Sequence, residues 1–246
     1  MNPNNIEQKL EEASSDMERI FDDVAHNLAS QLAEDPAGSL MPKSGTIQPQ
    51  IRREMQASQT TLKRGCLAIF QALQEQVDGV EVDIAHDFMK LLELTSFACQ
   101  KRSEFIENLD SGKTIQQIGG VSDATLEKMY QAAKKLYEEG RFQESADAFC
   151  FLTLLNSQKF AFWLGYANSQ YQLQNFDAAL EGYAFVTKLN PDDYVSHLFS
   201  SECYRALGDD INRKNALELA LYVLGDDPAH REIRGQIVQQ LGGSNG

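Results

Sequence analysis

The sequence predicts an all-α protein: three helix–turn–helix repeats stacked into a superhelix, preceded by an extra helical N-terminal region. Three observations carry this expectation. Phe142-Gln-Glu returns as Phe176-Asp-Ala, and the surroundings of the two recur on the same offset. Tyr130 pairs with Leu164, Ala133 with Ala167, Tyr137 with Tyr171, Ser145 with Ala179, Phe149 with Tyr183 and Ser157 with Pro191. Upstream of the repeats, apolar residues step by three or four, the helical period. The 246 residues include only six prolines and few β-branched runs, which disfavours strand. A helical hairpin cannot bury its apolar face alone, so neighbours stack and leave a concave groove.

Composition narrows the partners. Apolar residues make up 42% and charged residues 24%, as in an ordinary globular chain. A formal net charge of −14 repels the phosphates of nucleic acid and anionic lipid surfaces, so neither is an expected partner. No window approaches 18 consecutive apolar residues, so no membrane span or direct insertion is expected. Met1 to Leu10 lacks an apolar stretch, and no secretory signal is expected there. Cys66, Cys99, Cys150 and Cys203 are far apart and form no C-x-x-C pair, which fits core thiols in a reducing, cytosolic compartment.

Residues 1–35 read as an N-terminal amphipathic helix, with Ile6, Leu10, Ala13, Met17, Ile20, Val24, Leu28 and Leu32 on one stripe. Glu34-Asp35-Pro36-Ala37-Gly38 stops it, and the Pro- and Gly-containing run over 36–50 reads as a flexible linker. A helical region spans 51–118. Its first helix, about 50–77, turns inward Ile51, Met55, Leu62, Ile69, Leu73 and Val77. A second, about 83–109, is apolar nearly all round at Phe88, Met89, Leu91, Leu92, Leu94 and Phe97, and Asp110-Ser111-Gly112-Lys113 ends it. Ser122 then caps a new helix, with Glu127 in its early turns.

The repeat domain spans 119–241. The offset from Phe142 to Phe176, with small residues, aromatics and a closing proline at fixed places, is the period of tetratricopeptide (TPR) repeats. The repeats run over about 126–159, 160–193 and 194–228, and Gly140, Gln174 and Gly208 fall at the inter-helix turns. Because the closing proline comes at Pro228 instead of position 225, a three-residue insertion is expected within Asp209-Asp210-Ile211-Asn212. A helix from about Ala229 to Leu241 caps the stack, and 242–246 is expected to be a disordered tail.

The first helix of each TPR pair lines the groove. The register turns Glu127, Tyr130, Lys134 and Tyr137 inward from the first repeat, and Ala161, Leu164, Asn168 and Tyr171 from the second. The third contributes Val195, Leu198, Glu202 and Arg205. Phe142 sits at a turn and fits either groove or core. Phe149, Tyr183, Trp163 and Phe176 are assigned to packing between helices. Such a wall suits an extended peptide whose apolar side chains enter pockets while Asn168 or Lys134 holds main-chain carbonyls. A clamp for a C-terminal carboxylate would need cations where Tyr130, Val195 and Phe199 stand, so that ligand is excluded.

No enzyme is expected and no cofactor or metal is implied. His26, His86, His197 and His230 show neither H-E-x-x-H nor another shared metal spacing, and phosphate-loop and G-x-S-x-G motifs are absent. Acidic pairs such as Glu11-Glu12 and Glu138-Glu139 read as solvated helix surface.

Gly112 to Gly140 reads GKTIQQIGGVSDATLEKMYQAAKKLYEEG, followed by GRFQESADAFCFLTLLN, FWLGYANSQYQLQNFDAALEGYAFV and HLFSSECYRALGD. Over about 103–228 this resembles the class II type III secretion chaperones, the SycD/LcrH/IpgC-like TPR family. The resemblance implies a cytoplasmic bacterial chaperone that holds hydrophobic translocator proteins through a short, extended P-x-L-x-x-P-like segment. It implies pocket-lining roles for Tyr130, Tyr137, Phe142, Leu164, Asn168 and Tyr171, and a homodimer through N-terminal helices. Residues 1–100 lie outside it. Their stripe suggests self-association or packing on the convex side of the repeats, with an extra site for a secretion-apparatus component as the alternative. A TPR scaffold binding a transcription factor or such a component is the second reading of the whole chain.

Overall fold

The computed structural model describes residues 60–61, 63–75, 84, 86–87, 90–91 and 101–242. The expected helix over 1–35, the linker over 36–50, Cys99 and the tail over 243–246 lie outside the described residues. Within the described residues the secondary structure is helical, with no strand. No helix among them is long and apolar enough to cross a membrane. The chain divides into two compact units, Met1–Ala132 and Ala133–Gly246.

In the first unit, 60–61 and 63–75 are helical and bury Cys66, Ile69, Phe70 and Leu73, two of which the sequence period turns inward. Helix α1, Arg102–Asp110, ends at Ser111 as the turn residues predict, but it starts afresh at a turn at Lys101, so the expected helix over about 83–109 does not run unbroken to its end. Helix α2, Ile115–Ile118, is one turn held by a capping box between Thr114 and Gln117. Helix α3, Asp123–Glu138, starts where the Ser122 hydroxyl accepts the Thr125 amide at 3.1 Å.

Asp87 reinforces that start. Its buried carboxylate accepts from the Thr125 hydroxyl at 2.7 Å, the Ser122 amide at 3.1 Å and Lys90 Nζ at 3.0 Å. Burial alone would raise its pKa, but these hydrogen bonds together hold it down at about 2, against an ordinary 3.8. A carboxylate whose folded pKa is depressed stabilises the fold above its unfolded pKa and loses that contribution as pH falls through the folded value. The network is therefore expected to supply about 2 kcal/mol near neutrality, lost between about pH 4 and pH 2. Acid unfolding followed by circular dichroism, parent against Asp87→Asn, checks this. An identical acid profile in the variant contradicts it.

The second unit continues as helical hairpins. Helix α4 is Phe142–Leu155, α5 Phe160–Gln172, α6 Phe176–Leu189, α7 Tyr194–Leu207 and α8 Asp210–Leu224. Each first helix of a pair, α3, α5 and α7, ends in a left-handed residue: Gly140 at φ 76°, Gln174 at 60° and Gly208 at 74°. At each, two backbone bonds close the turn in the same pattern: Gly140 to Tyr137 and Arg141 to Leu136, Gln174 to Tyr171 and Asn175 to Gln170, Gly208 to Arg205 and Asp209 to Tyr204. Glycine enters that conformation freely, whereas Gln174 does so at a cost of roughly 1 kcal/mol.

Small residues let these helices close on one another. A Cβ on Gly165 would lie 2.4 Å from the Phe149 ring, and one on Gly182 would lie 2.8 Å from Ala167 Cβ. Ser145 and Ser169 are buried with their hydroxyls 2.9 Å apart; one donates to the other, which in turn donates to a backbone carbonyl, that of Ala133 from Ser145 or of Gly165 from Ser169. Phe149 and Tyr183 are core residues, as the repeat register assigns them. Trp163 and Phe176 are half-buried, Trp163 stacking on Phe185 with centroids 4.0 Å apart. Cys66 and Cys203 are buried free thiols and Cys150 is half-buried. Burial pushes the Cys66 thiol up to about 12 and, with the nearby Glu202 charge, Cys203 to about 11.

The expected insertion at Asp209–Asn212 is not there. Helix α8 begins at Asp210, one full period after α6 begins at Phe176, because Asp209 caps the Asn212 amide at the usual place. The added length falls at the other end. Helix α8 has 15 residues where α4 and α6 have 14, and Gly225-Asp226-Asp227 follows before a 3₁₀ turn at Pro228–His230. Helix α9, Arg231–Gly242, then closes the stack and includes Gly242 as its last residue. It packs Ile233, Ile237 and Leu241 with Leu217, Ala220 and Leu224 of α8.

Candidate peptide-binding groove

Within the second unit, α5 sets Leu164, Asn168 and Tyr171 one helical turn apart, and all three are half-buried. Leu164 and Tyr171 pack on a fully buried cluster of Ala167, Ala179, Tyr183 and Cys203. The Tyr171 ring meets Phe176 edge-on at 6.0 Å and Phe199 of α7 edge-on at 5.3 Å. Phe199 in turn stacks on Tyr183, with centroids 5.8 Å apart and planes 15° from parallel. The result is an aromatic seam from α5 to α7 whose outer members, Tyr171 and Phe199, remain partly accessible.

Polar groups punctuate this seam. The Tyr183 hydroxyl donates to Asn168 Oδ1 at 2.9 Å. Burial, then the neighbouring Cys203, Tyr137, Tyr171 and Asp193, raises the Tyr183 phenol far above the tyrosine range, so it stays a neutral donor. At the end of α3, Tyr137 is half-buried, meets Phe142 edge-on at 5.3 Å, and its hydroxyl accepts from Gln172 Nε2 at 3.3 Å. Phe142 is likewise half-buried, between core and surface as its position at the turn allows.

The remaining sequence-derived positions differ in how much they offer a ligand. Lys134 is exposed but paired with Glu138 at 3.4 Å, a surface contact weak enough to exchange for a ligand carbonyl. Leu198 is half-buried against the α8–α9 cluster, so much of its surface is engaged by the protein itself. Glu202 and exposed Arg205 form a pair, with Arg205 Nε and Nη2 both donating to Glu202 Oε2 at 2.8 and 2.6 Å. Tyr130 is half-buried on the part of α3 that belongs to the first unit and is placed with that unit.

Sequence reasoning passed over Gln172 and treated Phe199 only as a missing cation. The register held the signal for Phe199. Phe149 lies over Gly165, and at the matching place in the next repeat Tyr183 meets Phe199. Where the second repeat has no side chain, the third has a ring, and that ring extends the aromatic seam to Tyr171.

Stacked helical hairpins of this kind are a TPR-like, all-helical architecture, and comparisons with known proteins agree. No family model matches the chain. The low calcium response locus protein H of Yersinia pseudotuberculosis is 23% identical over 133 residues, 54% of this chain and 79% of that protein. Its counterpart in Yersinia pestis matches at the same identity and coverage. Among solved structures, a T3SS complex from Aeromonas hydrophila superposes with a TM-score of 0.53 at 21% identity, covering 57% of this chain and 93% of that one. The CopN–Scc3 complex gives a TM-score of 0.50 at 24% identity, covering 52% and 75%. The chain resembles the class II type III secretion chaperones, the group to which its motifs over 103–228 point.

Proposed function

We propose that this protein is a cytoplasmic chaperone of bacterial type III secretion that binds hydrophobic translocator proteins and keeps them soluble and export-competent. An extended, P-x-L-x-x-P-like segment of the client lies along the inner wall formed by Tyr137, Phe142, Leu164, Asn168, Tyr171, Leu198, Glu202 and Arg205, with Lys134 at its edge. The observation that carries the proposal is the half-accessible seam of Tyr171 and Phe199 around the Asn168 amide. Rings held in place by neighbouring rings offer large contact area with little entropy left to lose, the property of an anchoring pocket.

The need for such a protein follows from the client. A segment apolar enough to enter a bilayer exposes a large greasy patch in water and aggregates unless covered. The net charge of −14 keeps the chaperone itself dispersed while it carries that load. Self-association through the N-terminal helices completes the reading.

Co-purification from the native host, followed by mass spectrometry, tests it. A membrane-active translocator is expected as the main partner. Recovery of only transcription factors or apparatus components would replace the chaperone by a TPR scaffold.

A further inference from the structure

The wall along α5 is apolar at Leu164 and Tyr171 and polar at one point between them, Asn168. An extended peptide pressed onto such a wall takes its main-chain carbonyls out of water, and a buried carbonyl without a donor is costly. Asn168 carries both a donor and an acceptor end, so its usefulness depends on which end faces the peptide.

The packing around Tyr183 decides that. Tyr183 is fully buried, lies in the cluster with Ala167, Ala179 and Cys203, and stacks on Phe199. Its ring cannot follow a turning amide. Its hydroxyl, 2.9 Å from Oδ1, donates to the acceptor end of Asn168 and leaves the Nδ2 hydrogens as the donors for a ligand. Asn168 is half-buried and so keeps some surface open to a ligand.

We propose that Tyr183 is a positioning residue: its phenol fixes the Asn168 amide so that Nδ2 donates to a main-chain carbonyl of the bound segment. This point of the wall reads the extended backbone itself and tolerates different client sequences, while the flanking rings select apolar side chains. The inference rests on the groove reading given under Proposed function.

The test is calorimetric titration of the full chain with a short synthetic peptide carrying a P-x-L-x-x-P-like segment, each variant first shown by thermal melt to be folded. Asn168→Asp keeps the shape and the acceptor for the phenol but has no hydrogen to give. Asn168→Ala removes both ends without adding charge. Each is expected to weaken binding roughly three- to tenfold, the usual yield of one hydrogen bond. Tyr183→Phe, which keeps the ring, is expected to weaken binding and to shrink the further loss caused by Asn168→Ala, a coupling that mere structural support would not produce. Parent-like affinity in Asn168→Asp, or in Asn168→Ala alone, overturns the inference. So does an undiminished Asn168→Ala loss in the Tyr183→Phe background. If Tyr137→Ala with Tyr171→Ala weakens binding while the Asn168 variants do not, the groove stands and this inference falls. If that double variant also binds normally, the groove reading fails first.

Discussion

Replacing Tyr183 with alanine is expected to lower the unfolding free energy by about 3–5 kcal/mol, the range for deleting a large buried aromatic. Among the described residues, Tyr183 is the largest of the fully buried side chains. It sits on α6 yet touches both neighbouring first helices, through Ala167 on α5 and through Cys203 and Phe199 on α7. Alanine would leave a cavity between them that the stack could collapse into only in part. It would also strip Asn168 Oδ1 of its partner. Tyr222, which is 84% exposed on α8, is the control, and Tyr222→Ala is expected to change stability by less than about 0.5 kcal/mol. Urea unfolding of both variants measures the difference. A cost for Tyr183→Ala no larger than that of the control would contradict the packing described for the second unit.

The repeat architecture was legible because its determinants are local. A turn residue and a small residue at the helix crossing recur in all three repeats and aromatic core positions in the first two, so Gly140, Gln174 and Gly208 mark the turns without any knowledge of contacts. The misplaced insertion arose from treating Pro228 as the counterpart of Pro191. Loop prolines are poor register marks because loops absorb length changes that helix starts do not. Here α8 kept its start and lengthened at its end.

The candidate groove was legible in part. Tyr137, Leu164, Asn168 and Tyr171 follow from the register of first helices. The bonds that tune them, Gln172 to Tyr137 and Tyr183 to Asn168, join residues 35 and 15 positions apart and depend on side-chain direction across helices, which no spacing rule encodes. For residues 1–35 the apolar stripe indicates a helix but not what it packs on, since an amphipathic face fits a second copy, a partner or its own chain equally well.

Whether the inner wall of the repeats holds a client segment, as proposed, is tested by the paired tyrosines. Tyr137 and Tyr171 occupy equivalent places one repeat apart, each half-buried and each braced edge-on by a phenylalanine, Phe142 and Phe176. Bracing fixes the rings before binding, so their contacts with a peptide are gained with little ordering cost. Truncating two such anchors is expected to weaken binding by about a hundredfold or more. The fold should survive, because both rings are partly exposed and the Tyr137 hydroxyl bond to Gln172 is an exposed one. The direct measurement is a calorimetric titration of the full-length parent and of Tyr137→Ala/Tyr171→Ala with the same synthetic P-x-L-x-x-P-like peptide, alongside circular dichroism. Unchanged helicity and at least about a hundredfold loss of affinity are expected. Equal affinity in the two proteins, with helicity intact, would contradict the proposal.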